Sequence, residues 1–405
     1  MQARLFLVVV VFITGMFSSL FSQLNGTYTI GGTSPNYATL TAAAAALNTS
    51  GISGNVTFNI RPGTYNERIN IQSVPGNNAG RTILFKAENN DSSSVVIATT
   101  SASNVDNYVV SVQNTQNVQF SRLTFRGPST GAYGIVISAY ITPGFKLQRC
   151  RVSGITAATS TTTNQDVIQL AGNSTGYEIS NCTIRGGYRG VGIYGGSTIP
   201  VNNVLINNNR FYKSSSAGFR AQYSHNLQFT RNVVDSCGAS GFLAAQIAYC
   251  STAVVTLNRI DLDGGGGFGF TSCYSTNAAR TKVNNNFVTV TGNAAGSGGI
   301  YLQDVRFADV YYNSFNIQVF DSYQVYAAQI SNGGTGLRIQ NNSFVTTPGN
   351  AIVNNIDSQN AIEIYSYNNL FNGEPQINLP PNSVSLNPGY TSSSDLHLIP
   401  SNLNA

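Results

Sequence analysis

The chain has 405 residues, only 9% of them charged, with 40 Gly, 5 Cys, no Trp and a formal net charge of +5 at pH 7. Lys is rare and no basic run or recognition motif occurs, which excludes a nucleic-acid-binding chain. The small positive excess is compatible with an acidic polymer as partner.

In chain order, residues 1–22 read as a secretory signal. Arg4 precedes an apolar run from Leu5 to Phe17, and Ser18, Ser19 and Ser22 follow before Gln23. The run is too short for a membrane anchor, and no later stretch could span a bilayer. The expectation is an exported, soluble protein without a membrane span in its mature chain. Residues 23–53 read as an N-terminal cap. There the Ala-rich segment Ala42–Ala46, flanked by Leu40 and Leu47, predicts a helix that covers an otherwise sticky sheet end.

From 54 to 374 the chain repeats at a period of about 27 residues. The unit is apolar-x-apolar-x-x-Asn-x-apolar, as in Val204-x-Ile206-x-x-Asn209-x-Phe211 and Leu227-x-Phe229-x-x-Asn232-x-Val234. Its sixth position runs Leu123, Cys150, Cys182, Asn209, Asn232, Ile260, Asn286, Asn313, Asn342 and Asn369. Apolar residues alternate at i and i+2, which is strand spacing and not helix spacing. A second short strand recurs, as in Gly218-Phe219-Arg220 and Gly299-Ile300-Tyr301-Leu302, and Gly, Ser and Asn clusters mark the turns. Stacked units of this kind predict an all-β fold, a parallel β-helix (solenoid) of about twelve coils and about 55–60 Å length. The Asn column is expected to be structural, with each inward amide bonded to its neighbours. The five cysteines are expected to be buried thiols, although Cys150/Cys182 and Cys250/Cys273 could bridge adjacent coils. Residues 375–405 form a tail that stops without an obvious finish, which suggests a longer parent chain.

Three groups carry the candidate chemistry. Asp235, Asp261 and Asp263 fall near one another on consecutive coils. Three clustered carboxylates would suit Ca²⁺, or divide into acid and base; otherwise they are solvated turn aspartates. Arginines line the same side. Arg122, Arg149, Arg231 and Arg259 are assigned to the slot before the sixth position, Arg151 and Arg210 to the slot after it, and Arg126 and Arg185 two further on. Guanidinium forks match carboxylates and sulfates, though Arg stems also simply cover apolar wall. Arg231, Arg259 and Asp261 are the candidate catalytic set, and Arg151, Arg185 and Arg210 candidate substrate contacts. Tyr223, Tyr249 and Tyr274 complete the substrate set, as sugar-stacking rings or as packing. His225 lies in a turn beside them, solvated or a general base.

The repeat resembles the right-handed parallel β-helices of the pectin lyase-like superfamily. Ile60-Arg61-Pro62-Gly63-Thr64-Tyr65-Asn66-Glu67 resembles the P-G-x-Y-x-E turn that opens many members, and Tyr37–Thr41 with the Ala run resembles their capping helix. Right-handed winding is what the resemblance implies. The residues of known activities are not matched. Gln303-Asp304 covers two letters of the pectin methylesterase Q-D-T, and neither the Asp pair nor the G-H-G of polygalacturonases occurs. The leading expectation is therefore a secreted or cell-surface, non-catalytic protein that binds glycans or adheres. The alternatives are a polysaccharide lyase acting on an anionic polysaccharide such as a polyuronate, and a structural spacer in a larger surface protein.

Overall fold

The structure, a computed structural model, describes residues 22–100, 102–156, 163–237, 243–292, 298–319, 325–348, 352–355, 361–373, 376, 378–392 and 396. The proposed signal segment lies almost wholly outside these residues. Among them the chain winds as a three-sided β-helix whose strands pair in parallel with the same strand of the next coil. Sheet I has 13 strands, from Leu24–Ile30 to Ile362–Ser366; sheet II has 12, from Gly63–Tyr65 to Asn369–Phe371; sheet III has 11, from Ile69–Gln72 to Val353–Asn355. Each coil visits the sheets in the order I, II, III. The expected β-helix of about twelve coils is what the chain forms, with three strands per coil.

The period-2 patterns explain the walls. In Ile52–Ile60, Val56, Phe58 and Ile60 point inward and are buried, while Thr57 and Asn59 point out. In-register pairing stacks like on like. Phe58, Phe85 and Phe120 form one column, with ring centroids 4.6 and 5.3 Å apart. The helix Leu40–Ser50 buries Leu40, Ala43, Ala44 and Leu47 and packs against the first strands of sheets I and III. Thr39 caps it by accepting from the Ala42 amide. Glu67, the acid of the Pro-Gly-x-Tyr-x-Glu turn, accepts from the Thr41 amide at 2.9 Å, so a carboxylate holds the helix N-terminus to the first coil.

The Asn column runs at the corner between sheets I and II. Asn209, Asn232, Asn258, Asn286, Asn313, Asn342 and Asn368 each donate Nδ2–H to a sheet I carbonyl of the preceding coil, at 2.8–2.9 Å. Each Oδ1 accepts the backbone N–H of the column residue one coil earlier, at 2.9–3.1 Å. Cys150 and Cys182 continue the column as buried thiols; the Cys150 amide donates to Cys182 Sγ at 3.4 Å. Two of the expected assignments are corrected. The column holds Asn258, not Ile260, and Asn368, not Asn369, so the ladder is unbroken from Asn209 to Asn368. Ile260 is instead the apolar residue two places on, in register with Val234 and Val288.

The slip has a physical cause. The residue before the ladder position turns the corner in the left-handed region, with φ of 54–59° from Arg122 and Arg149 through Leu257 to Tyr367. That residue points outward whatever its type. Leu257, 48% exposed, imitates an inward apolar residue in the sequence and shifts the apparent register by two. Asn suits this backbone better than Leu, and Asn181, Asn208, Asn285 and Asn341 occupy the same slot. Leu257→Asn is therefore expected to stabilise the fold by about 0.5–1 kcal/mol in urea unfolding. A loss of stability would count against this account of the corner.

Candidate functional site

On sheet II, outward residues form two columns. One runs Arg126, Ser153, Arg185, Tyr212, Asp235, Asp261. The other runs Arg151, Thr183, Arg210, Val233, Arg259. Arg259 thus shares its column with Arg151 and Arg210, a correction to its expected place beside Arg231; the same two-residue register shift is the cause. Arg122, Arg149 and Arg231 do share the corner slot.

At the acidic end of this face two of the three carboxylates are paired, and Asp263 makes no ion pair among the described residues. Arg210 Nε donates to Asp235 at 2.9 Å, and Arg259 lies 3.6 Å from Asp261. The Arg185 and Arg210 guanidinium carbons sit 6.0 and 5.4 Å from the Tyr212 ring centre. Arg210, Asp235, Arg259, Asp261 and Asp263 share a surface recess of about 650 Å³, and Arg231 is not part of its lining. Among the described residues, no group of three or more His, Cys, Asp or Glu side chains is placed to hold a metal ion, and this covers Asp235, Asp261 and Asp263. The basic end differs. Arg126, Arg149, Arg151 and Arg185 make no ion pair among the described residues, and Arg126, Arg149 and Arg151 are exposed.

The tyrosines lie elsewhere, at the corner between sheets III and I. Tyr223 and Tyr249 occupy the same corner slot on successive coils and stack at 4.7 Å with an 11° interplanar angle. Tyr274 sits one turn further, its ring 4.2 Å from the Arg306 guanidinium and its hydroxyl bonded to Asp304. His225 Nδ1 is 2.7 Å from Ser251 Oγ. The expected substrate set therefore divides: its arginines belong to sheet II and its tyrosines to a separate corner.

A third cluster escaped sequence reasoning. Asp166 is fully buried on the outer side of sheet III, 3.3 Å from Arg189, and accepts from the Tyr194 hydroxyl. Arg189 also donates to Tyr194 at 3.0 Å, and its Nε is buried without a partner. Gly192 makes the space, since a Cβ there would fall 2.4 Å from Asp166 Oδ2. Burial pushes the Asp166 carboxyl up to about 6, against the opposing pull of Arg189. Asp166 and Arg189 are buried, and Tyr194 is half-buried at the edge of the cluster. The cluster's sequence signal was absent: Arg189 and Tyr194 stand in sheet III slots that hold Ala217 and Gln222 on the next coil, so no repeating pattern links them to Asp166.

No curated protein matches this chain. The family described as "Right handed beta helix region" matches residues 133–315. The fold is similar to that of the GH136 lacto-N-biosidase from Eubacterium ramulus, at 11% identity and TM-score 0.50, covering 84% of this chain and 68% of that one. It is equally similar to PfbA, a surface adhesin of Streptococcus pneumoniae, at 14% identity and TM-score 0.50, covering 79% and 89%. At these identities the likeness is one of fold. The structure shows a parallel β-helix, the fold that the resemblance implied, and the family match over residues 133–315 is to a right-handed one.

Proposed function

We propose that this is a secreted or cell-surface β-helix protein that binds an acidic polysaccharide along sheet II without cleaving it. The observation that carries the reading is the group Arg126, Arg149, Arg151 and Arg185 on adjacent coils, which make no ion pair among the described residues, although Asp91 lies near enough to Arg151 to feel its charge. Coils rise about 4.8 Å each, so these cations form a patch over three successive coils, with Arg126 and Arg185 in one column and Arg149 and Arg151 on the coil between them, suited to a chain of carboxylates or sulfates. The Arg210–Asp235 and Arg259–Asp261 pairs bound the patch, and Asp263 leaves the recess beside them with one acid in excess. Arginine-paired carboxylates favour binding over proton transfer, which supports the non-catalytic reading. The apolar run behind Arg4 supports export. A surface adhesin and a lacto-N-biosidase use the same fold.

Calorimetric titration with polygalacturonate is expected to show binding that weakens steeply with salt. Replacing Arg151 and Arg185 together by Ala is expected to weaken it about five- to tenfold and flatten the salt dependence. Equal binding to a neutral glucan, unmoved by salt, would overturn the proposal. Release of unsaturated uronides, lost in Asp261→Ala and Asp263→Ala, would establish a lyase instead. Absence of binding to any polymer would leave the spacer reading.

A further inference from the structure

The corner between sheets III and I holds a second recess, of about 240 Å³, whose lining is distinct from the arginine wall. Its corner slot reads Gly195, Tyr223, Tyr249, Ser272 on four successive coils. Tyr223 and Tyr249 adopt φ of 52° and 54°. That backbone is the one where Gly, Asn or Ser is cheaper, and other coils use Asn114 and Ser272 there. Ile141 also takes this slot, with φ of 53°, so positive φ is the general geometry of the corners, and what sets these two coils apart is the stacked pair of rings. The stacked pair ends against small residues on both sides, so ring faces are left without an aromatic cover. Tyr249 and Tyr274 are 41% and 45% exposed.

The lining contains His225, Ser251 and Ser272 but no Asp, Glu, Lys or Arg. His225 turns Nδ1 to Ser251, and its Nε2 makes no hydrogen bond among the described residues. Asp304, bonded to Ser272 at 3.2 Å, stands behind the recess with Arg306 4.0 Å away, so the two charges offset one another and neither selects a charged ligand. The volume fits one ring, far less than a protein partner needs.

We propose that this recess binds a single uncharged pyranose ring. The C–H face of the sugar stacks on Tyr249, and its hydroxyls reach His225 Nε2. The site is independent of the acidic-polysaccharide reading of sheet II.

The test is saturation-transfer NMR on the full chain with methyl glycosides of glucose, galactose, mannose and N-acetylglucosamine, and with galacturonate. Saturation is expected on the ring C–H protons of at least one neutral glycoside and not on galacturonate. Tyr249→Asn removes the ring but suits the left-handed backbone, so the coil is retained. It is expected to weaken binding about tenfold while leaving polygalacturonate binding to sheet II unchanged. His225→Gln is expected to weaken it as well. The proposal is overturned if no neutral glycoside receives saturation, or if the signal survives both substitutions. It is also overturned if galacturonate binds as well as the neutral sugars.

Discussion

Asn258→Leu is expected to cost about 3–6 kcal/mol, enough to unfold much of the central β-helix. The leucine would take a partner from three buried groups, although the Asn232 side-chain amide keeps its bond to the Ile206 carbonyl. These are the Asn232 backbone N–H, now 2.9 Å from Asn258 Oδ1; the Asn232 side-chain amide, at 3.2 Å; and the Phe229 carbonyl, at 2.8 Å. Each orphan costs about 1–3 kcal/mol. Asn258→Cys is expected to cost clearly less. A thiol already serves this slot at Cys182, where it accepts an amide and donates to a carbonyl. Urea unfolding followed by circular dichroism checks both. Equal stability for the Leu variant and the natural chain would mean that the ladder does not support the corner.

The second large effect is a pH dependence with an unusual sign. The Asp166 carboxyl is pushed up to about 6 in the folded protein, against an ordinary value of 3.8. Between those values the folded chain keeps a proton that the unfolded chain has lost. The contribution of Asp166 is therefore fully present below about pH 4 and is lost as pH rises through about 6. Two units correspond to about 3 kcal/mol at most. Other carboxylates act in the opposite sense; Glu363 is held low by its bond to Arg338. The difference between the natural chain and Asp166→Asn isolates the effect. Unfolding free energies at pH 4.5, 6 and 7.5 are expected to fall with pH relative to that variant. Arg189→Met leaves the carboxylate buried without its cation. It is expected to cost about 3–5 kcal/mol at pH 7.5 and less at pH 4.5, where the carboxyl takes up a proton. A parallel pH profile for natural chain and Asp166→Asn would refute the raised carboxyl.

Much of the fold was legible because a solenoid repeats its constraints. Every coil offers the same inward residues, so Phe58 and Phe85 announce their stacking by spacing alone. The register failed where an outward residue was apolar. Leu257 and Tyr367 occupy the left-handed corner and face solvent, yet read as wall residues in the sequence. That slip carried Arg259 into the wrong column and produced an apparent break in the ladder at Ile260, beside Asp261. The break does not exist, because Asn258 fills the ladder position on that coil. The carboxylates themselves remain adjacent, since Asp235 and Asp261 share an outward column.

The candidate sites were legible only as residue types. Arg151, Arg185 and Arg210 are placed along one face by the alternation of strands, which the period dictates. Their pairing is not: that Arg210 forms an ion pair with Asp235 while Arg151 and Arg185 form none among the described residues depends on which coils lie side by side. Tyr223 and Tyr249 recur 26 residues apart, so their stacking follows from the repeat. Their separation from the arginine wall does not, because it depends on which of the three corners each segment turns. Periodicity by itself determined the coil, its inward columns and the polar ladder, since these are local patterns repeated along the chain. Only the tertiary structure decided which outward side chains share a face, which charges cancel, and that Asp166, Arg189 and Tyr194 close into one cluster. Such encounters are set by loop paths and coil register, and no single repeat contains that information.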